Sequence, residues 1–170
     1  ARRLVDEVVL VDTDKICAAI QDTFEDTRVV PEPSGALAIA GLKKFVAREG
    51  WKGKRLVAIN SGANLNFDRL RYIAERADLG AGREALLAVE LPEERGSFLR
   101  FCRALGSRNI TEFNYREQGR ERAEVFVGLN LAQGPAERAQ IVTELQQAGY
   151  KVLDLTANEL AKVHVRHMIG

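Results

Sequence analysis

Two short runs of small residues in the first half of the sequence have the composition of ligand-binding turns. They are Glu32-Pro33-Ser34-Gly35-Ala36 and, further along, Ser61-Gly62-Ala63-Asn64. Turns of this kind that open a helix let backbone N–H groups approach an anionic ligand closely. The second run follows an apolar segment, residues 56–59, and ligands of open α/β sheets sit at the carboxyl ends of strands. Ser61 is therefore predicted to contact a cofactor.

A third run, Gly96-Ser97-Phe98, follows an apolar segment in the second half and precedes a helical pattern. A glycine at this point lets the backbone come close to a ligand, and the N-terminus of the helix attracts a carboxylate. These residues are predicted to bind a small effector. The alternative, in which Gly96 serves only the turn and Phe98 only the core, stays open on sequence alone.

Other reactive residues give weaker predictions. Cys17 and Cys102 lie far apart among apolar neighbours, so we expect small buried residues and neither a disulfide nor a zinc site. His164 and His167 have a helical spacing that zinc can use, but no third ligand is apparent and no metal site is predicted. The basic residues between 116 and 122 alternate with glutamates, which is typical of a solvated hairpin turn.

Composition and charge exclude several classes of function. Lys and Arg total 25 against 24 Asp and Glu, so the net charge of +1 offers no field for nucleic acid or an anionic membrane. No apolar run approaches the roughly 20 residues of a membrane span. The sparse use of cysteine is typical of the reducing cytoplasm, which is the expected location.

Strands and helices alternate in the predicted first domain, residues 1–82. Apolar runs at 8–11 and 55–60 predict buried strands, and a helix is predicted after each of three caps, Asp12, Ser34 and Asn66. Strands separated by helices indicate a parallel α/β architecture. Because two strands do not make a stable sheet, we expect a truncated part of a larger α/β domain with an open sheet edge.

The pattern changes in the predicted second domain, residues 83–170. Its order is β-α-β-β-α-β, a ferredoxin-like unit with a core at about 85–155. The strands are predicted at 85–91, 109–116, 123–131 and 150–155, and the helices begin at Ser97 and after Gly134. The fold class of the chain is therefore predicted as α/β followed by α+β.

The same motifs resemble the biosynthetic threonine dehydratase (threonine ammonia-lyase) family over essentially the whole chain. Residues 32–38 and 61–64 are similar to late motifs of its catalytic domain, and residues 83–89, 96–102 and 111–116 to its first ACT-like regulatory domain. The resemblance implies a truncated fold-type-II pyridoxal-phosphate domain followed by an ACT-like domain. For the intact enzyme it implies a lyase of isoleucine biosynthesis that converts L-threonine, or L-serine as a second substrate, with 2-oxobutanoate and ammonia as the products from threonine.

The resemblance also implies roles for individual residues. Ser61 matches the residue that hydrogen-bonds the pyridine nitrogen of pyridoxal 5'-phosphate, and Glu32 an acidic residue lining the cofactor pocket. A hydroxyl carries no negative charge to hold that nitrogen protonated, so the ring is a weaker electron sink, which suits β-elimination. For Glu32, a carboxylate that only stabilises a helix start is the open alternative. Phe98 and Tyr115 match positions that sense the effectors isoleucine and valine.

Two family features are absent from these 170 residues. No lysine lies in a Ser-x-Lys-x-Arg-Gly-Ala type motif, the context of the Schiff-base lysine, and there is no glycine-rich phosphate cradle. We expect both upstream of residue 1, so the chain contains no predicted catalytic residue and should not deaminate threonine alone. The intact enzyme is expected to be a homo-oligomer, a tetramer. Two alternatives stay open: a stand-alone amino-acid-binding regulatory module without catalysis, and a first half that acts only as a docking surface between subunits.

Overall fold

The first half of the chain is helical and the second half is mixed. The computed structural model describes residues 4–118 and 121–167, and the chain divides into two units, Ala1–Ala81 and Gly82–Gly170. The first unit contains the helices α1 (Thr13–Thr27), α2 (Pro33–Glu49) and α3 (Arg69–Ala81).

The starts of α1 and α2 show how far local sequence rules apply. Asp12 caps α1 as predicted, since its side chain accepts a hydrogen bond from Lys15 N at 2.8 Å. Ser34 does not cap α2, because the helix already begins at Pro33, where a proline loses no hydrogen bond. The Ser34 hydroxyl instead donates to Glu32 Oε1 at 2.5 Å. The predicted cap is therefore wrong by two residues, and Glu32 occupies the N-cap position.

Small residues let the three helices pack closely in the first unit. Helix α1 contacts both α2 and α3, and a Cβ added at Gly80 would lie 1.9 Å from the Asp14 carbonyl oxygen. Lys15 Nζ donates to the carbonyl of Gly80 at 2.6 Å, a second link between α1 and α3. The core of this unit consists of Cys17, Ala19, Ile20, Ala36, Ala40, Ile73 and Ala77.

The two strands predicted for the first domain are wrong. Residues 5–12 and 54–66 are irregular, and no strand occurs between residues 4 and 82. Val8 is 74% exposed and Val57 is 84% exposed, so neither segment is buried as predicted. A strand forms only where a neighbouring strand completes its hydrogen bonds, and the described residues of this unit provide no such neighbour. The open sheet edge on which the docking-surface alternative depended is consequently absent from this part of the chain.

The second unit contains a four-stranded antiparallel sheet. Strand β1 pairs with β3 and β4, and β2 pairs with β3, which gives the order β2-β3-β1-β4. The predicted β-α-β-β-α-β sequence of elements is confirmed, and one further helix follows it. The elements are β1 (Glu84–Pro92), α4 (Ser97–Leu105), β2 (Ile110–Gln118), β3 (Arg122–Asn130), α5 (Pro135–Gln147), β4 (Lys151–Asp154) and α6 (Glu159–His167).

One face of the sheet is buried beneath α4 and α5. Leu87 lies opposite Val127 and Val89 opposite Val125, so alternate residues of the central strands share this face. The core also contains Phe101 and Leu105 of α4 and Ile141 and Leu145 of α5. Phe98 and Leu99 of the same helix are apolar as well, but they are 48% and 54% exposed. A nine-residue helix presents only one narrow stripe to the sheet.

Candidate functional site

An open pocket of about 320 Å³ lies at the start of α4 in the second unit. It combines the end of strand β1, the first turn of α4 and two side chains of β2. All four residues that the sequence analysis assigned to an effector site belong to this pocket. It is lined by Glu93, Glu94, Gly96, Ser97, Phe98, Phe113 and Tyr115.

A tight turn between β1 and α4 forms the polar floor of the pocket. Gly96 has φ 83° and ψ −2°, the left-handed conformation that glycine adopts without strain. The Ser97 hydroxyl donates to the carbonyl of Pro92 at 2.6 Å and does not cap the helix. No side chain of the described residues caps α4. The Ser97 N–H donates to the carbonyl of Glu94 at 3.1 Å. The next N–H groups of the first turn, those of Phe98 and Leu99, keep their partial positive charge for a solvent or ligand acceptor.

Three aromatic rings form the apolar wall of the pocket. The Phe98 ring meets Phe113 edge to face, with centroids 5.3 Å apart, and meets Tyr115 in the same way at 6.5 Å. Phe113 and Tyr115 are two residues apart on β2 and therefore lie on the same face of the strand. Sequence reasoning missed Phe113, although its spacing from Tyr115 could have identified it. The exposed side of these rings can cover an aliphatic group.

Two carboxylates form the rim of the pocket. The Tyr115 hydroxyl donates to Glu93 Oε2, and Glu94 forms an ion pair with Arg100. The sequence analysis assigned no role to Glu93 or Glu94, so both glutamates were missed. Two consecutive acids, separated by one residue from Gly96-Ser97, were the available signal. The pocket therefore offers negative charge at its rim and helix N–H groups at its floor.

This arrangement matches a small zwitterion with a hydrocarbon side chain. A carboxylate is attracted to the N-terminus of α4, a cation to the acidic rim, and an aliphatic group to the aromatic wall. No described group of three or more His, Cys, Asp or Glu side chains could hold a metal ion. The second unit is therefore a ferredoxin-like domain with an open pocket at the start of its first helix.

The cofactor residues predicted for the first half also lie near each other. Glu32 N donates to the carbonyl of Gly62 at 3.0 Å, so the two small-residue motifs are in contact. A Cβ on Gly62 would lie 2.8 Å from Glu32 Oε1, and one on Gly35 would lie 2.1 Å from Asn60 Oδ1. A larger residue at either position would displace the neighbouring side chain, so the two glycines let the two motifs approach closely. Ser61 is exposed beside this contact, in an irregular segment.

The remaining residues singled out by sequence have other roles or are not described. Cys17 is buried in the first core, and burial raises the pKa of its thiol to about 11, whereas Cys102 is only half-buried. The side chains of His164 and His167 and the predicted turn at Gly119 lie outside the described residues. In the part of the chain that is described, no helix is long and apolar enough to cross a membrane.

Comparison with known proteins identifies the family. Residues 75–165 match the family described as the C-terminal regulatory domain of threonine dehydratase. The chain is 55% identical over 166 residues to L-threonine dehydratase biosynthetic IlvA of Salmonella typhimurium, covering 98% of this chain and 32% of that protein. Identity and coverage are the same for the enzyme of that name in Escherichia coli. The chain is 48% identical over 170 residues to threonine dehydratase 1 biosynthetic, chloroplastic, of Solanum lycopersicum, covering 98% and 28% respectively.

The chain therefore belongs to the threonine dehydratase C-terminal regulatory domain family, which confirms the resemblance seen in the sequence. It spans about a third of the length of the curated relatives it matches.

Proposed function

We propose that this chain is the effector-sensing part of a pyridoxal-phosphate-dependent threonine ammonia-lyase, and that isoleucine and valine bind the pocket at the start of α4. The observation that carries the proposal is the convergence of Gly96, Ser97, Phe98 and Tyr115 on one pocket. That pocket lies within the residues matched by the regulatory-domain family.

Each part of a branched-chain amino acid has a counterpart in the pocket. The carboxylate is held at the N-terminus of α4, where Gly96 allows close approach. The aliphatic side chain packs on the rings of Phe98 and Tyr115. Isoleucine has one more CH₂ than valine, and burying a CH₂ contributes about 0.8 kcal/mol. The pocket should therefore favour isoleucine by up to about fourfold.

The coenzyme site of the first unit is proposed to include Ser61 and Glu32. The exposed Ser61 hydroxyl and the glycine-lined contact beside it fit the ring edge of pyridoxal phosphate, where a planar group must approach the backbone closely. When bound, the coenzyme supplies the electron sink for β-elimination. Ser61 would donate a hydrogen bond to the ring nitrogen, and Glu32 would hold the turn that positions Ser61, through its backbone bond to Gly62.

For the whole enzyme we propose removal of the α-proton of L-threonine, or of L-serine, and loss of the β-hydroxyl as water. Hydrolysis of the resulting enamine gives ammonia and, from threonine, 2-oxobutanoate. We also propose that the intact enzyme is a homo-oligomer, a tetramer, that works in the cytoplasm. The relatives that carry the threonine dehydratase name support the enzyme over the alternative of a stand-alone amino-acid-binding module. The natural polypeptide that carries these residues should form 2-oxobutanoate from threonine if it is the enzyme, and should form none if it is a stand-alone amino-acid-binding module.

Isothermal titration calorimetry on this chain tests the effector site. Isoleucine and valine should bind in a one-to-one ratio, with isoleucine the tighter ligand, and glycine should not bind because it has no side chain for the aromatic wall. Absence of heat with both branched-chain amino acids would refute the proposed function. Equal binding of glycine would refute the role of the aromatic wall.

A further inference from the structure

We propose that Glu93 is the residue that recognises the ammonium group of the amino-acid effector, an assignment that rests on the proposed function of the same pocket. The two glutamates at the rim differ in their surroundings, although they are neighbours in sequence and both line the pocket. That difference singles out one of them.

The charge of Glu94 is already compensated. Its carboxylate forms an ion pair with Arg100, one turn into α4. Glu93 has no basic partner among the described residues; its carboxylate accepts the hydroxyl of Tyr115, a neutral donor. A carboxylate that keeps its full negative charge attracts a cation more strongly than one already paired. Glu93 is thus the stronger ammonium acceptor of the rim.

Glu93 is also held in place on both sides. Its backbone N–H donates to the carbonyl of Glu121 at 2.8 Å, which ties the end of β1 to the start of β3. The Tyr115 hydroxyl engages Oε2 of its side chain, and Oε1 is the atom assigned to the ligand. A charged acceptor held in this way binds with less loss of side-chain freedom than a mobile one. Tyr115 consequently positions Glu93 as well as contributing to the aromatic wall.

The opposite charges of a zwitterion then have separate partners in the pocket. The N-terminus of α4 takes the carboxylate, Glu93 takes the ammonium group, and Phe98 and Phe113 cover the side chain between them. A monocarboxylate without an ammonium group would lose the contact with Glu93 and meet its negative charge instead. This arrangement selects amino acids over their deaminated analogues of the same shape.

Calorimetry with one substitution and its matched control tests the assignment. Glu93→Gln keeps the shape and the hydrogen bond to Tyr115 but removes the charge, and Glu94→Gln makes the same change on the next residue. Hydrogen bonds to charged groups contribute about 1.5–3 kcal/mol. The Kd for isoleucine should therefore rise about tenfold or more in Glu93→Gln and stay within about twofold in Glu94→Gln. Both side chains are exposed, and circular dichroism would check that both variants fold.

A second ligand gives a readout that needs no substitution. Isoleucine should bind the unsubstituted chain at least tenfold more tightly than 3-methylpentanoate, which lacks only the ammonium group, and Glu93→Gln should not weaken 3-methylpentanoate. Three results would overturn the assignment while leaving the effector site intact. They are equal affinity of the two ligands, unchanged isoleucine binding in Glu93→Gln, and an equal loss of isoleucine binding in Glu94→Gln. If the unsubstituted chain binds no branched-chain amino acid, the proposed function fails, and this assignment fails with it.

Discussion

A single missing side chain determines how closely two helices approach in the first unit. At Gly80, a Cβ would lie 1.9 Å from the Asp14 carbonyl oxygen and 3.0 Å from Lys15 N, and both are backbone atoms that cannot move aside cheaply. Gly41 is the matched control, because a Cβ there meets nothing within 4 Å. Both glycines lie inside helices. The same substitution should therefore have opposite effects at the two positions.

We predict that Gly80→Ala destabilises the first unit by about 2 kcal/mol or more, because overpacking pushes α1 away from α3. Gly41→Ala should stabilise it by about 0.5–1 kcal/mol, the ordinary helix preference for alanine. Urea unfolding followed by the fluorescence of Trp51, the single tryptophan of the chain, reports on this unit. A stability gain in Gly80→Ala would show that the helices do not meet there.

At the scale of the element, one face of α4 packs against the sheet and another lines the pocket. Phe101 is fully buried against the sheet, whereas Phe98, three residues earlier, is 48% exposed in the pocket wall. Phe101→Ala should destabilise the second unit by about 3–5 kcal/mol. Phe98→Ala should change stability by less than about 1 kcal/mol but weaken isoleucine binding about tenfold. Circular dichroism in urea measures the stability of each variant, and calorimetry measures its isoleucine binding. Unchanged isoleucine affinity in Phe98→Ala would contradict the assignment of Phe98 to the pocket wall.

The outer face of the sheet is joined by charges across three strands. Glu90 of β1 accepts Lys151 Nζ of β4 at 3.2 Å and pairs with Arg122 of β3. The hydrogen bond from Lys151 is the main cause that holds the pKa of the Glu90 carboxyl below its ordinary value, and the charge of Arg122 adds to it. The opposite face of the sheet packs against α4 and α5 instead.

We predict a pH dependence of stability from this group. Because the folded pKa of Glu90 is lowered, its contribution is fully present above the pKa of the unfolded chain and is lost as the pH falls through the folded pKa. An NMR titration should show Glu90 ionising at a lower pH than a free glutamate, and Lys151→Gln should move its pKa upward. Lys54→Gln, elsewhere on the chain, is the control. An unchanged Glu90 titration in Lys151→Gln would contradict the stated cause.

At the scale of the whole molecule, local patterns predicted those elements whose partners lie within the described chain. The alternation around Val89 is satisfied by Val125 and Val152 of the same sheet, so the second domain follows from its sequence. The apolar run at residues 8–11 has the composition of a strand, but no strand neighbours it among residues 4–81, and it stays irregular. The composition of a segment shows whether it can form a strand, and the presence of a neighbouring strand determines whether the strand forms.

Prediction of the pocket residues from sequence is limited in the same way. Gly96 and Phe98 were predictable because they belong to one contiguous motif. Phe113 joins them only through the pairing of β2 with β3, and that pairing contains a bulge between Ile110 and Glu112 that no periodicity indicated. The role of Glu93 depends on the hydroxyl of Tyr115, which is distant in sequence. The spacing from Tyr115 could place Phe113 on the same strand face, but only the structure shows that this face meets Phe98.

The distribution of lysines leads to a prediction for the chain as a whole. The proposed threonine ammonia-lyase activity would need a lysine that holds the coenzyme, and none of the seven lysines here lies in the sequence context that the family resemblance implies. Several have structural partners instead: Lys15 binds the Gly80 carbonyl, and Lys43 pairs with Asp22. The purified chain mixed with pyridoxal phosphate and threonine should therefore form no 2-oxobutanoate above the blank. The Escherichia coli relative under the same conditions is the positive control. Product formation that disappears when one of these lysines is replaced would contradict the prediction and identify a catalytic lysine within the chain.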